Sequence, residues 1–355
     1  MSVIAPGGTI GILGGGQLGR MTALAAANLG YRCHIFAPDD DSPAAQVSAA
    51  WTRAAWDDEA ALVRFAADVD VVTYEFENVP VATARFLAGL KPVRPAPNAL
   101  EIAQHRAREK TFFTETGIPV GPWAPVRTLD DLRAAATSVG LPAILKTARE
   151  GYDGKGQIRL RETADVEPAW RALGGRHGVL ERLIDFDSEM SVIVARGLDG
   201  AVCSFPPGSN VHRDGILDTT TVPATVPDGV IAEASRLGER LAAALGIVGL
   251  IALELFVTRD GRLLANEMAP RPHNSGHWSM DACRTSQFEQ LVRAVCGLPL
   301  GPVDVLAPVR MENLIGDEVE RWRTAVADPR ARLHLYGKRG TRPGRKMGHI
   351  NVLGG

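Results

Sequence analysis

Two glutamates, Glu254 and Glu267, carry the strongest chemical signal in the chain. They lie in the runs Ala252-Leu253-Glu254-Leu255-Phe256-Val257 and Leu263-Leu264-Ala265-Asn266-Glu267, on either side of Asp260-Gly261. Such runs predict two strands, and Asp-Gly is a favoured two-residue hairpin turn. With Arg259 opposite Arg262, this register pairs Val257 with Leu264 and sets Glu254 directly across from Glu267. Opposed Cβ atoms lie about 4.5 to 5.5 Å apart, where like charges destabilise a sheet, so something must neutralise them. Two hard carboxylates with the Asn266 amide beside them suit Mg²⁺ bridged to phosphates. The other outcomes are an Arg or Lys from a neighbouring element, or a slipped register.

Four further segments offer anion chemistry. The run Arg149-Glu150-Gly151-Tyr152-Asp153-Gly154-Lys155-Gly156 joins two short apolar stretches, 143–146 and 157–160. That pattern predicts a hairpin whose glycine-rich tip closes over phosphates, with Lys155 and Lys146 in reach; the other reading is a mobile surface hairpin. It runs back into a strand and not into a helix, so it is not a P-loop. Gly14, Gly16 and Gly19 have GxGxxG spacing between a strand and a helix, and Asp39 to Asp41 follow about 20 residues on, as a dinucleotide site requires. A dinucleotide, a phosphorylated substrate and a structural turn all fit this loop. Directly after the carboxylate hairpin, Pro270 and Pro272 fix a loop that presents Arg271 and His273 to an anion such as bicarbonate or a carbonyl phosphate. His273 and His277 are not read as a zinc pair, because Pro272 and Gly276 break the helix such a pair needs. The basic run 338–346 is a solvated loop by default, yet its guanidinium groups also suit one phosphate monoester.

These segments need scaffolds. An apolar run at 9–13, a helix over 17–29 ending at Gly30, strands at 32–36 and 69–74, and a helix over 58–67 predict a parallel, doubly wound α/β domain. It ends in the proline-rich stretch 91–98. A helix from about 99 to 116 follows, then short strands at 143–147, 157–160, 178–183, 190–196 and 201–205, α+β in style. Helices over 228–245 and 287–296 bracket the carboxylate hairpin, and the tail is β-rich. The expected domains are 1–97, 98–300 with a subdomain over about 117–183, and 301–355.

With 355 residues, 45% hydrophobic and 23% charged, the composition is that of a globular enzyme of two or three units. A formal charge of -2 gives no case for nucleic acid or membrane as partner. Cys33, Cys203, Cys283 and Cys296 lack CxxC spacing and predict reduced thiols. The N-terminal residues lack a basic region followed by an apolar one, and no apolar run approaches a membrane span, which predicts a cytoplasmic protein.

Together these segments resemble the ATP-grasp superfamily. The narrower resemblance is to the N5-carboxyaminoimidazole ribonucleotide synthase family. It is carried by Gly14-Gly15-Gly16-Gln17-Leu18-Gly19-Arg20-Met21, Thr73-Tyr74-Glu75-Phe76-Glu77-Asn78-Val79, Gly151-Tyr152-Asp153-Gly154-Lys155-Gly156-Gln157, Asn266-Glu267-Met268-Ala269-Pro270-Arg271-Pro272-His273-Asn274-Ser275-Gly276-His277 and Arg342-Pro343-Gly344-Arg345-Lys346-Met347-Gly348-His349. These blocks span nearly the whole chain in the family's order. The resemblance implies an ATP-grasp fold with an N-terminal pre-ATP-grasp domain and a small β-rich C-terminal domain. Family members continue past the position of Gly355 with a further helix.

The activity it implies is phosphorylation of bicarbonate by ATP to carboxyphosphate, which carboxylates the exocyclic amine of 5-aminoimidazole ribonucleotide. ATP and Mg²⁺ are the implied cofactors and a homodimer the implied assembly. By the same resemblance, Arg106, Lys146, Glu150, Gly151, Tyr152, Asp153, Gly154, Lys155 and Gly156 bind ATP phosphates. Glu181, Arg182, Leu183 and Ile184 bind adenine, Glu189 the ribose with His212 nearby, and Asn266 and Glu267 complete the nucleotide site. Glu254 and Glu267 hold the metal. Gly16, Gln17, Glu75, Tyr152, Asp153, Arg271, His273, Lys338 and Arg345 contact the ribonucleotide. Asp153, Arg271, His273 and Lys338 are the catalytic set, with Asp153 the candidate to deprotonate the amine. A formate-dependent ribonucleotide formyltransferase shares the ATP features, but the loop from Arg271 to His277 argues against it. A dehydrogenase uses only the first glycine loop and has no need of Glu254 and Glu267, and a nucleotide-sensing module needs no turnover.

Overall fold

The computed structural model describes residues 3–149 and 156–354. At the N-terminus, β1 (Thr9–Leu13), β2 (Arg32–Phe36), β3 (Ala50–Thr52) and β4 (Val71–Tyr74) form a parallel sheet in the order β3-β2-β1-β4. Ile10, Ile12, Val71 and Val72 are buried, as expected of a parallel sheet covered on both faces. The helix Gln17–Asn28 follows β1 through the glycine loop. Glu59–Ala67 starts one residue later than the predicted helix because Asp58 is its cap, accepting from the Ala61 amide at 2.9 Å. The edge strand β3 escapes the sequence reading, since three residues show no period.

The helix expected over 99–116 is two helices, Pro97–Ala103 and Arg106–Glu115. At the break, the Gln104 side chain donates to the carbonyls of Glu77 (2.7 Å) and Val79 (2.6 Å), and the Arg106 amide donates to the Ala148 carbonyl (3.0 Å). Arg106, Glu109 and Lys110 fall at i, i+3 and i+4, so the second helix carries all three on one face. All three are buried.

Next comes an antiparallel sheet of β5 (Trp123–Val126), β6 (Ala143–Thr147), β7 (Gln157–Leu160) and β8 (Gly178–Arg182), in the order β5-β8-β6-β7. The helices Leu129–Val139 and Val166–Leu173 pack on it through Leu132, Ala135, Val166 and Leu173. The first starts in a Thr128/Asp131 capping box that the sequence reading did not use. β6 and β7 pair as expected, and their connection 150–155 lies outside the described residues. Gly156 closes it at φ +71°, where a Cβ would come within 2.8 Å of Thr147 Oγ1.

The remaining strands build one nine-stranded sheet. They are β9 (Phe186–Arg196), β10 (Val202–Ser204), β11 (Gly208–Arg213), β12 (Ile216–Val222), β13 (Gly249–Thr258), β14 (Leu263–Ala269), β15 (Val309–Ile315), β16 (Ala331–Leu335) and β17 (Lys346–Leu353). Their order is β14-β13-β9-β11-β12-β15-β17-β16, with β10 on β9. Alternation splits β9 and β13 between two cores: Val192, Val194, Ile251 and Leu253 meet the helix Asp228–Leu245, while Ile193, Ala195, Leu250 and Ala252 meet Gln287–Cys296. Each fully buried Leu or Ile adds about 1.5 to 3 kcal/mol, so the central strands form a stiff floor. Among the described residues no helix is long and apolar enough to cross a membrane, and the four cysteines are free.

Candidate active site

The β13–β14 hairpin places Glu254 across from Glu267, as the sequence predicts, but by a different route. The turn is not Asp260-Gly261 alone: the Thr258 amide donates to the Arg262 carbonyl (2.9 Å), so three residues, Arg259 to Gly261, form the loop. Gly261 takes φ +79°, the left-handed position that such a three-residue loop requires. Val257 therefore pairs with Leu263 and not with Leu264. Between Leu255↔Ala265 and Glu254↔Glu267, β14 carries one extra residue, Asn266, and this bulge restores the expected pairing. At the bulge two consecutive residues, Asn266 and Glu267, are both part-exposed and line the cavity with Glu254, while Ala265 and Met268 on either side are buried.

That cavity has a volume of about 380 Å³ and runs between the hairpin, β8, the start of β9 and the helix Arg106–Glu115. Arg106, Lys146, Glu181, Arg182, Leu183, Ile184, Glu189, His212, Glu254, Asn266, Glu267, Arg271 and His273 all line it. The two opposed carboxylates meet basic neighbours as well as open space. Arg106 Nη1 lies 3.5 Å from Glu267 Oε2, and His273 Nε2 lies 2.9 Å from Glu254 Oε1. Burial disfavours the Glu254 charge, but His273 and, further off, His212 outweigh it and hold the carboxyl at about 2. Lys146 Nζ donates to Glu181 Oε2 at 3.1 Å, and burial pulls its pKa below the ordinary lysine value. Glu181 Oε1 is buried without a partner among the described residues. His212 Nδ1 and Glu189 Oε2 are 2.8 Å apart; burial works against the imidazolium, yet Glu189 raises its pKa.

Arg271 and His273 sit where the loop expectation puts them, each rigidly held. Arg271 is paired with Glu77, across from the N-terminal domain, and its Nη1 donates to the Pro272 carbonyl at 3.0 Å. Burial opposes the Glu77 charge, but Arg271 outweighs it and holds the carboxyl at about 2. The His273 amide donates to Gln287 Oε1 (2.9 Å), and Gln287 Nε2 donates to the His273 carbonyl (2.8 Å) and contacts His277 Nδ1 (3.0 Å). His277 is thus a buried member of this loop's support; burial drives its pKa well down.

The glycine loop departs from the dinucleotide reading. The Gly16 and Gly19 amides donate to Glu75 Oε1 (2.7 Å) and Oε2 (3.1 Å), so the chain's own carboxylate occupies donors that a cofactor phosphate would use. At Gly16 a Cβ would fall within 2.6 Å of Glu75 Oε1. Asp41 is committed as well: its Oδ2 accepts from the Arg339 amide (3.0 Å) and from Arg345 Nη2 (3.0 Å). Burial raises the Glu75 pKa, with Arg271 and Lys338 acting in the opposite sense. Gln17 opens the first helix half-buried. Lys338 Nζ donates to the Lys346 carbonyl at 2.7 Å, and burial and Arg345 lower its pKa to about 8. Gly16, Gln17, Glu75, Lys338 and Arg345 therefore gather between the N-terminal sheet and the basic loop, joined to the cavity through Arg271. Glu150, Gly151, Tyr152, Asp153, Gly154 and Lys155 lie outside the described residues.

Sequence reasoning missed Glu77, Glu109, Lys110 and Gln287. Glu109 Oε1 accepts from the Met268 amide (2.7 Å), and burial, with Glu267 adding to it, pushes its pKa to about 8 against the pull of Lys110. Lys110 Nζ donates to the Asn266 carbonyl (2.7 Å) and lies 3.3 Å from Glu181 Oε2. The spacing of Arg106, Glu109 and Lys110 was the available signal.

A lysine on β6 and paired hairpin carboxylates around one cleft are the arrangement of an ATP-grasp enzyme, and the ATP-grasp domain family matches residues 111–288. The ribonucleotide synthetase preATP-grasp domain matches residues 8–104 and the phosphoribosylaminoimidazole carboxylase C-terminal domain residues 310–355. N5-carboxyaminoimidazole ribonucleotide synthase of Brucella melitensis is 50% identical over 352 residues, covering 99% of this chain and 97% of that protein. The bifunctional purine synthesis protein purC/E of Dictyostelium discoideum is 45% identical over 98% of this chain, which spans only 37% of that longer protein. Among solved structures, an ADP complex of N5-carboxyaminoimidazole ribonucleotide synthetase has TM-score 0.96 at 42% identity, covering 99% and 94% of the two chains. The Aspergillus clavatus synthase with ADP and 5-aminoimidazole ribonucleotide has TM-score 0.91 at 31% identity, covering 98% and 93%. The chain belongs to the N5-carboxyaminoimidazole ribonucleotide synthase family, the ATP-dependent ligases among these relatives.

Proposed function

We propose that this cleft carboxylates the exocyclic amine of 5-aminoimidazole ribonucleotide with bicarbonate at the expense of ATP, giving N5-carboxyaminoimidazole ribonucleotide, ADP and phosphate. The observation that carries the reading is the pair Glu254 and Glu267, opposed across one hairpin and facing a cavity shared with Lys146, Arg106 and Arg271. Their oxygens, with the Asn266 side chain, fit Mg²⁺. Two protein carboxylates would suit an ion whose remaining ligands are substrate phosphates and water. When bound, such an ion supplies charge neutralisation to the phosphates.

Bicarbonate is a poor electrophile until one oxygen becomes part of a leaving group. In the first step that oxygen bonds to the γ-phosphorus while the bond to the β,γ-bridging oxygen breaks, leaving ADP and carboxyphosphate. In the second, the amine nitrogen bonds to the carboxyl carbon, the bond to the phosphate oxygen breaks, and the amine proton passes to a base, which the family resemblance assigns to Asp153. Lys146 and Arg106 hold the phosphates. Arg271, kept in place by Glu77, and His273, fixed by Gln287 and Ser275, present fixed donors to the charge that develops on the carboxylate. Glu75 meets the ribonucleotide, and Lys338 and Arg345 its phosphate. A cytoplasmic homodimer belongs to the same proposal; the four free thiols support a reducing compartment.

The test is ADP release in the presence of Mg²⁺ and ATP, with bicarbonate and the aminoimidazole nucleotide added or omitted. Release that depends strongly on the nucleotide is expected. An unchanged rate without both acceptors, or hydride transfer with no ADP formed, overturns the assignment.

A further inference from the structure

The bulge in β14 raises a question that its sequence leaves open. Alternation along a strand sends neighbouring residues to opposite faces, yet Asn266 and Glu267 both line the cavity. One extra residue makes this possible, and β14 is the outermost strand of its sheet, bridged on its other side at Ala265 to Val120. Backbone groups of β14 that face away from β13 must therefore find other partners.

Two adjacent residues of the helix Arg106–Glu115 supply them. Lys110, 3% exposed, places Nζ 2.7 Å from the Asn266 carbonyl and 3.4 Å from that of Ala265. Glu109, 2% exposed, accepts from the Met268 amide at 2.7 Å. One side chain therefore grips the strand before Glu267 and the other after it. The helix is anchored away from the hairpin by the bond from the Arg106 amide to the Ala148 carbonyl.

We infer that Lys110 and Glu109 are positioning residues: they fix the bulge that turns Glu267 and Asn266 into the cavity beside Glu254. The inference rests on the metal and phosphate role proposed above for those carboxylates. The ammonium gives the Asn266 carbonyl what a strand neighbour would otherwise give, and a residue of equal length without donors takes that partner away, while Ala265 keeps its bridge to Val120. Lys110 also lies 3.3 Å from Glu181 Oε2, so a loss confined to the nucleotide strand must be told apart from a loss at the bulge.

The experiment compares the full-length wild type with Lys110→Met, Lys110→Arg, Glu109→Ala and Glu109→Gln. For each, the free Mg²⁺ that gives half-maximal ADP release is measured, together with ATP binding in EDTA. Lys110→Met is expected to raise the Mg²⁺ requirement at least about ten-fold, the usual scale for losing a group that orients a metal ligand, with ATP binding in EDTA unchanged. Lys110→Arg restores most of it. Glu109→Ala raises the requirement in the same sense, and Glu109→Gln, which keeps a carbonyl acceptor, recovers it. Should Lys110→Met fail to fold, the Glu109 pair and Lys110→Arg decide the matter. A wild-type Mg²⁺ requirement in Glu109→Ala and in any folded Lys110→Met overturns the inference, as does a matching loss of ATP binding in EDTA. Wild-type ADP release that needs no divalent ion defeats instead the metal role on which the inference stands.

Discussion

Glu254, in the middle of β13, and Glu75, just past the end of β4, are both largely buried carboxylates in two regions of the molecule that Arg271 connects, yet their environments drive them in opposite directions. Around Glu254 the compensating groups are ionisable basic side chains, His273 at 2.9 Å and, further off, His212 and Lys346, and the carboxyl is held at about 2. Glu75 meets mainly dipoles, the Gly16 and Gly19 amides, and burial raises its pKa despite them. At Glu75 two amide hydrogen bonds do not outweigh the desolvation, whereas at Glu254 the basic side chains do. The hairpin carboxylates are thereby suited to a divalent ion, and Glu75 to holding the glycine loop in shape and meeting hydroxyls of a substrate.

The largest expected effect lies on the hairpin side. Glu267→Gln keeps the shape and removes the charge, and ADP release should fall by about 10³-fold with the fold intact, measured by steady-state turnover beside circular dichroism. Retention of more than a tenth of the rate would show that this side does not differ from the other in kind. At the connection between the two regions, Glu77→Ala leaves the Arg271 guanidinium buried and unpaired, which should cost about 3 kcal/mol in urea unfolding. The double change with Arg271→Met should recover much of that loss.

A pH series on Glu109→Gln sharpens the electrostatic contrast. The folded pKa of Glu109 is about 8 against an ordinary 4.5, so the native state holds a proton that the unfolded chain releases. Its contribution is fully present below about pH 4.5 and is lost as pH rises toward 8. The stability of the wild type relative to Glu109→Gln should therefore decline with pH across that window, by at most about 1.4 kcal/mol per pH unit. A flat difference would mean that Glu109 titrates normally. The smallest effect is expected on the glycine-loop side: Glu75→Gln retains an acceptor for the Gly16 amide, so KM for the ribonucleotide should rise about ten-fold with little change in the Mg²⁺ requirement.

Much of the architecture was legible because it follows short-range periods. The helices over 228–245 and 287–296 and the strands 9–13 and 32–36 appear within the predicted bounds. The pairing of Glu254 with Glu267 was read correctly although two of its premises fail: the turn has three residues, and the bulge at Asn266 returns the register by one. Neither is visible in an Asp-Gly dipeptide, because the bulge is held by Lys110 and Glu109, more than 150 residues earlier in the chain. For the same reason the glycine loop could be read as strand, turn and helix but not as a loop filled by Glu75, which lies 59 residues away from Gly16. The break between Pro97–Ala103 and Arg106–Glu115 likewise depends on Gln104 reaching the carbonyls of Glu77 and Val79, a tertiary contact that no helical period announces.

The central step proposed here is transfer of the γ-phosphoryl group to bicarbonate within the cavity that Glu254 and Glu267 share. Turnover with bicarbonate carrying heavy oxygen at all its positions tests this directly, with the released inorganic phosphate analysed by mass spectrometry. One heavy oxygen per phosphate is the expected result, because the oxygen that attacks phosphorus leaves with it. Phosphate formed at full rate without that label would contradict the account.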